Sequence, residues 1–90
     1  MINAERRDYL INELDVDVAL FENPSFDNSI VGITSTGHVV YEFNKMVNEL
    51  MEDENMSESE AVDFVDYNTI RSIPYIEEDL RPIIMYELVV

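Results

Sequence analysis

The sequence predicts a small α+β domain in which a short antiparallel sheet of about four strands carries helices on one face. Three observations predict it: a β-branched hairpin pattern over residues 29–42, helical spacing of apolar residues over 43–52, and a helix-start motif at Ser57. The predicted order of elements is α-β-β-β-α-α-β. Because the chain has 90 residues, we expect one domain spanning residues 1–90.

The first two predicted elements precede the hairpin. Residues 3–14 fit a helix with Asn3 as N-cap and with Leu10, Ile11 and Leu14 on one face. From residue 15 the apolar period changes to two, which predicts a first strand over residues 15–20 that contains Val16, Val18 and Leu20. Asn23, Pro24 and Ser25 then end this strand.

The hairpin is predicted from two β-branched and aromatic runs, at residues 29–34 and 38–42. Residues 35–37 join them as a three-residue loop with Gly37 in the left-handed conformation. Both runs are therefore expected to be antiparallel strands.

Two helices and a last strand follow. The first helix covers residues 43–52, and the second begins in a capping box formed by Ser57 and Glu60. Pro74 should prevent the second helix from continuing much past residue 72. A final apolar strand is predicted after Pro82, over residues 83–89. The buried stripe of the second helix is expected to contain Ala61, Val62, Phe64, Val65 and Thr69.

The charge of the chain narrows the classes of partner. Twenty Asp and Glu residues oppose five Lys and Arg residues, which gives a formal net charge of −15. Direct binding of DNA or RNA is disfavoured, because phosphate contacts need Lys and Arg. A basic protein surface, such as that of a nucleic-acid-binding enzyme, is the expected partner.

The carboxylates are concentrated between residues 49 and 66, where no Lys or Arg occurs. One interpretation is a solvated helix face, since acidic residues also favour a helix N-terminus. The other is a partner-binding face, because an ordinary solvated helix interleaves Lys with Glu. Both interpretations stay open at this point. The candidate partner-binding residues are Glu49, Glu52, Asp53, Glu54, Glu58, Glu60, Asp63 and Asp66.

No motif for catalysis, a metal or a cofactor emerges. The chain has no cysteine and a single histidine, His38, which is expected to be a polar loop residue and not a ligand. The acidic stretches that begin at Asp15 and Asp53 fail the EF-hand register, and the two glycines form no phosphate loop. We therefore expect a non-enzymatic protein with no catalytic residue, no metal and no cofactor.

The end of the predicted helix that begins at Ser57 allows two further alternatives. Arg71 is expected to interact favourably with the C-terminal end of the helix dipole and to pair with a carboxylate of a neighbouring element. Tyr67, Asn68 and Tyr75 form either a polar cluster that closes the helix or an exposed contact patch of the composition found in interface hot spots.

A homodimer is the alternative to a basic partner. The apolar C-terminal part of the chain would bury against a second copy, since an exposed apolar edge strand is otherwise a liability. The residues expected in that interface are Tyr75, Ile83, Met85, Leu88, Val89 and Val90.

The chain shows neither a signal-peptide pattern nor an apolar run of membrane-spanning length, so we expect no membrane span and a cytoplasmic location. At Asn23-Pro24-Ser25-Phe26-Asp27, Tyr67-Asn68-Thr69-Ile70-Arg71, Pro74-Tyr75 and Pro82-Ile83-Ile84-Met85-Tyr86 it resembles a group of small uncharacterised proteins of bacteria and their mobile elements. That resemblance spans about residues 20–88 and implies a fold without a known activity, cofactor or site. In size and charge the chain is similar to phage-encoded anti-CRISPR and anti-restriction proteins, which implies an acidic inhibitor that mimics nucleic acid.

Overall fold

A computed structural model of the chain describes residues 7–13 and 18–88 and confirms the α+β class. The helix α1 covers residues 7–13, of which Tyr9–Glu13 is π-helical. The remaining strands and helices are β1 (Ile30–Ile33), β2 (Val39–Glu42), α2 (Phe43–Asp53), α3 (Glu58–Phe64) and β3 (Ile83–Met85). Helical structure continues after α3 as a π-helical segment, Val65–Thr69, and a 3₁₀ segment, Ile70–Tyr75. Shorter 3₁₀ turns occupy Asp27–Ser29 and Glu78–Leu80.

The sheet is mixed and has three strands in the order β1-β2-β3 within the described residues. β1 pairs with β2 antiparallel, whereas β3 pairs with β2 parallel, with Tyr41 opposite Ile84. The prediction of an antiparallel sheet of about four strands was therefore wrong in detail. The chain between β2 and β3 runs through α2 and α3, which is the kind of long crossover that a parallel pair of strands requires.

No strand forms over residues 18–20, and residues 14–17 lie outside the described part of the chain. Val18 and Leu20 pack partly buried against the core, so their alternation reflects burial and not strand pairing. The backbone N–H of Phe21 donates to the Tyr41 hydroxyl at 3.1 Å, and its carbonyl accepts a hydrogen bond from the Arg7 guanidinium. The N–H and carbonyl groups of Phe21 are thus hydrogen-bonded to side chains and not to a neighbouring strand.

The predicted hairpin is confirmed. Its loop is closed by a hydrogen bond of 2.8 Å from the Thr34 N–H to the His38 carbonyl and by one of 3.0 Å from the Gly37 N–H to the Thr34 carbonyl. Gly37 has a φ of 91°, which a residue with a side chain adopts only with strain. The loop glycine therefore favours the pairing of Ile33 with Val39 next to the loop, and the register shifts further along, between Ile30 and Gly32.

Both helices after the hairpin are confirmed, and α2 runs one residue beyond the prediction. The capping box of α3 is present, because the Ser57 N–H donates to Glu60 Oε1 at 2.9 Å and the Glu60 N–H donates to Ser57 Oγ at 3.2 Å. Of the predicted stripe, Ala61, Val65 and Thr69 are buried and the others are half-buried. Helical structure continues to Tyr75, slightly past the predicted end near residue 72. Pro74 lies within the 3₁₀ segment Ile70–Tyr75 that forms this end.

The helix α1 lies where the first helix was predicted, with Leu10 buried. Ile11, which was expected on the same buried face, is 54% exposed. The π-helical winding of Tyr9–Glu13 departs from the α-helical spacing on which that expectation depended. The predicted N-cap Asn3 and the apolar Leu14 lie outside the described residues.

The last strand is shorter than predicted and ends at Met85. Residues 86–88 are not in a strand, and the predicted end at residue 89 lies outside the described part. The Tyr86 ring stacks on Phe43 with centroids 4.8 Å apart, and the Glu87 N–H donates to Glu42 Oε2 at 3.1 Å. These two contacts turn the chain toward the start of α2 and end the pairing with β2.

The core lies between the sheet, α2 and α3, and its buried apolar residues come from α1, β1, β2, α2, α3, the π-helical segment Val65–Thr69 and Phe26. Ile84 of β3 packs partly buried against this core. The buried apolar residues are Leu10, Phe26, Ile30, Val39, Tyr41, Phe43, Met46, Val47, Leu50, Ala61 and Val65.

Candidate functional site

The acidic segment 49–66 is built from the C-terminal half of α2, a short turn, and α3 with its continuation. Asn55 has a φ of 60° and reverses the chain after α2, a conformation that Asn tolerates better than most residues. Ser57 then starts α3 through its capping box. A tight turn and a fixed helix start therefore set the relative positions of the carboxylates.

Six of the eight candidate carboxylates are exposed and make no hydrogen bond or ion pair with any part of the chain that the structure describes. No Lys or Arg occurs within the segment to compensate them. Their negative charges are therefore available to a partner. The six residues are Glu52, Asp53, Glu54, Glu58, Asp63 and Asp66.

Glu49 differs from these six because its side chain is half-buried and accepts a hydrogen bond of 2.8 Å from the Ser29 hydroxyl. Burial raises the pKa of Glu49, and the negative charges of Asp53 and Asp27 raise it further, although the hydrogen bond from Ser29 acts in the opposite direction. Glu49 therefore joins α2 to the 3₁₀ turn at Asp27–Ser29.

Glu60 is exposed, but its carboxylate already accepts the Ser57 N–H. The pKa of Glu60 is lowered, first by this backbone hydrogen bond and then by the interaction with the Ser57 side chain. One carboxylate oxygen is thus used to start the helix.

The structure places five of the eight carboxylates at two concave places. A cleft of about 170 Å³, here called the α2 cleft, is lined by Pro24, Ser25, Phe26, Glu49, Leu50, Asp53 and Glu54. A groove of about 350 Å³, here called the α3 groove, is lined by Met56, Glu60, Asp63, Phe64, Tyr67 and Asn68. Glu52, Glu58 and Asp66 line neither place.

Three basic residues of the described part contact groups other than the carboxylates of segment 49–66. Arg7 pairs with Glu22 and Asp27, and Arg81 donates to the carbonyl oxygens of Pro74 and Ile76. Arg71 was expected to pair with a carboxylate, but its guanidinium instead lies 4.4 Å from the centroid of the Tyr67 ring. The Tyr67 ring lies one helical turn before Arg71, within reach of its side chain.

Tyr67 and Tyr75 do not form one closed cluster. Tyr67 is 59% exposed beneath Arg71, whereas Tyr75 is 90% exposed and makes no ring contact with the described residues. The exposed-patch alternative therefore fits these aromatic side chains better than a polar cluster that closes the helix.

His38 has a structural contact in the hairpin. Its Nδ1 lies 2.8 Å from the Arg81 carbonyl oxygen, and because a carbonyl oxygen only accepts, Nδ1 carries the proton. This contact ties the hairpin to the chain that precedes β3. In the described ranges, no three His, Cys, Asp or Glu side chains are grouped so as to hold a metal ion. The absence of catalysis and of cofactors stays a prediction.

Sequence reasoning missed the α3 groove, although a signal was present. Met56, Glu60, Phe64 and Tyr67 recur at helical spacing, which is the pattern of one uncovered helix face. Phe64 was assigned to the core, whereas it is half-buried and lines the groove.

Comparisons with protein-family models, with curated proteins and with solved structures found no match for the chain. The resemblance to small bacterial and mobile-element proteins therefore stays a prediction. None of the helices within 7–13 and 18–88 has the length and apolar character needed to cross a membrane.

Proposed function

We propose that this chain is a non-enzymatic acidic interaction protein that binds a basic protein surface through its segment 49–66. The observation that carries the proposal is the set of six exposed, unpaired carboxylates in a segment without Lys or Arg. The partner is a nucleic-acid-handling enzyme, whose phosphate channel supplies clustered Lys and Arg. A cytoplasmic location, where such enzymes act, belongs to the same proposal.

Electrostatics supports inhibition by occupation of the phosphate channel. A single-sign surface steers an oppositely charged partner and rejects partners of its own sign. Helix-borne carboxylates present negative charge at fixed positions, as a nucleic-acid backbone does. The chain would therefore compete with nucleic acid for the channel, in the manner of anti-CRISPR and anti-restriction proteins.

The quadruple variant E52Q/D53N/E58Q/D63N tests this proposal. We expect the wild-type protein to displace a fluorescent DNA duplex from at least one of a panel of purified bacterial CRISPR and restriction nucleases. The quadruple variant should bind that nuclease about 100-fold more weakly, because each exposed charge pair contributes up to about 1 kcal/mol. Fluorescence anisotropy of the duplex measures the displacement.

The matched control is D8N/E77Q/E78Q/D79N, which removes the same charge from exposed carboxylates outside the segment. It should retain most of the displacement. The proposal is contradicted if the protein displaces the duplex from none of the nucleases, or if the control variant loses as much affinity as the quadruple variant.

A homo-oligomer is the second candidate, because apolar side chains near β3 are exposed. Leu88 is 87% exposed and Ile83 of the edge strand β3 is 40% exposed, in addition to the exposed Tyr75. Met85 is half-buried, and the expected interface residues Val89 and Val90 lie outside the described residues. An exposed apolar edge strand invites pairing with a second copy.

Analytical ultracentrifugation distinguishes the two candidates. We expect a monomer at micromolar concentration in low salt, since a net charge of −15 opposes self-association. A stable dimer under these conditions, lost on replacing Ile83 and Leu88 by serine, would support the oligomer instead.

A further inference from the structure

The α3 groove combines an apolar floor with an acidic rim. Met56 and Phe64 are half-buried and pack against the core, so they form a fixed floor. Glu60, Asp63 and Tyr67 line the same groove with exposed side chains. An occupant that matches this groove needs an apolar side chain flanked by positive charge.

The Tyr67 ring already accepts a guanidinium. Arg71 lies 4.4 Å from the ring centroid, within the range of a cation–π contact. Arg71 makes no ion pair with the described residues, so the ring is its observed partner. The Tyr67 ring, which lines the groove, therefore stabilises a guanidinium group. Arg71 shows the geometry of this cation–π contact within the chain itself.

The charge around the groove selects among possible occupants. Glu58 and Asp66 add two exposed carboxylates close in sequence to the lining residues, and segment 49–66 holds no cation. An anionic ligand or an acidic protein would meet repulsion there. A basic segment gains attraction from these carboxylates, and it meets the positive charge of Arg71 only at Tyr67.

We propose that the α3 groove binds an arginine-containing segment of a basic partner protein, with an apolar side chain of that segment on Met56 and Phe64. An arginine of the same segment lies against Tyr67 and Asp63. This inference rests on the proposed function, since it specifies which part of the acidic segment binds the partner and through which interactions. Arg fits better than Lys, because its planar guanidinium stacks on an aromatic ring and binds a carboxylate.

Arg71 competes with the partner's arginine for the Tyr67 ring. The variant R71Q frees the ring and removes one positive charge, so its affinity for a basic segment should rise about threefold to tenfold. K45Q removes the same charge from an exposed residue that does not line the groove, and its affinity should rise less.

The test uses two synthetic peptides of equal charge. One is an arginine, glycine and serine peptide with a single leucine at its centre, and the other has serine in place of that leucine. We expect the full chain to bind the leucine peptide about tenfold more tightly in calorimetry. Y67A should weaken its binding about tenfold and D63N several-fold, whereas Y75A, the matched change at an exposed tyrosine outside the groove, should leave it unchanged.

The inference is overturned if the two peptides bind equally, or if Y67A and Y75A have the same effect. If in that case the quadruple variant E52Q/D53N/E58Q/D63N displaces the duplex much less well than the wild type, the proposed function stands and only the groove is wrong. If the quadruple variant also displaces duplex normally, both fail. Circular dichroism of Y67A and D63N shows whether each variant is folded.

Discussion

Replacing Glu42 by alanine should lower the free energy of unfolding by about 3 kcal/mol. Glu42 is only 2% exposed and lies at the joint between β2 and α2. Its carboxylate accepts the Lys45 N–H at 2.8 Å as the N-cap of α2 and the Glu87 N–H at 3.1 Å from the chain after β3. Alanine would remove both hydrogen bonds and leave a cavity where three parts of the fold meet.

The same residue predicts a pH dependence. Burial acts to raise the pKa of Glu42, but hydrogen bonds from the backbone N–H groups of Glu87, Lys45 and Asn44 outweigh it, so the pKa is lowered. The stabilisation by Glu42 is therefore fully present above the pKa of an unfolded glutamate, about 4.3. It is lost as the pH falls through the lower pKa of the folded state.

Urea unfolding at several pH values measures both effects. The difference in unfolding free energy between wild type and E42Q should shrink as the pH falls below about 4.3, the pKa of an unfolded glutamate, and through the lower pKa of folded Glu42. The difference is the useful quantity, because acid also relieves the repulsion of a chain of charge −15. E52A, at an exposed position of the same helix, should change stability by less than about 0.5 kcal/mol. Equal effects of E42A and E52A would contradict this assignment.

Replacing Arg7 by glutamine should lower the free energy of unfolding by about 2–3 kcal/mol. The Arg7 side chain is 19% exposed and that of Asp27 is 15% exposed. Arg7 Nε lies 2.9 Å from Asp27 Oδ1 and 3.0 Å from Oδ2, and Nη2 donates to the Phe21 carbonyl. Glutamine would leave the Asp27 carboxylate without its cation in an already acidic molecule.

Lysine at position 7 should recover only part of this stability, because an ammonium group cannot reproduce the planar set of donors. E22Q is the control, since Glu22 is 79% exposed and its pair with Arg7 should contribute little. Thermal unfolding of R7Q, R7K and E22Q measures the order of stability. An R7Q protein as stable as E22Q would show that the contacts of Arg7 do not hold residues 21–27 to α1.

The parts of the fold that depend on local signals were predictable. Gly37 sets the hairpin loop, Ser57 and Glu60 start α3, and the spacing from Phe43 to Leu50 defines α2. Each of these signals involves residues only a few positions apart, so it can be recognised in a short stretch of sequence.

The parts that depend on distant contacts were not predictable in the same way. The alternation at Val18 and Leu20 indicated burial correctly, but the Tyr41 hydroxyl and Arg7 take the backbone groups of Phe21. β3 pairs parallel to β2 after a crossover through two helices. No local pattern in residues 83–85 indicates the direction of that pairing. Glu42 ends β2 as predicted, but its contact with Glu87 was not predictable, because Glu87 is remote in sequence.

The candidate surface was predictable as a segment and not as a shape. Residue counting identified the carboxylates without a cation, and most are exposed without a partner in the described structure. Counting could not separate Glu49, which Ser29 holds half-buried, from its exposed neighbours. It also could not show that Met56 and Phe64 leave an apolar floor beside Asp63.

An NMR titration of the full chain with the leucine-containing arginine peptide tests most directly whether segment 49–66 is the binding surface. The acidic run Glu77–Asp79 is an internal comparison, because its carboxylates are also exposed. We expect the largest amide shift changes within residues 52–68, and small ones at residues 77–79. Equal changes in both segments would show that the peptide responds only to negative charge, and would contradict a dedicated surface.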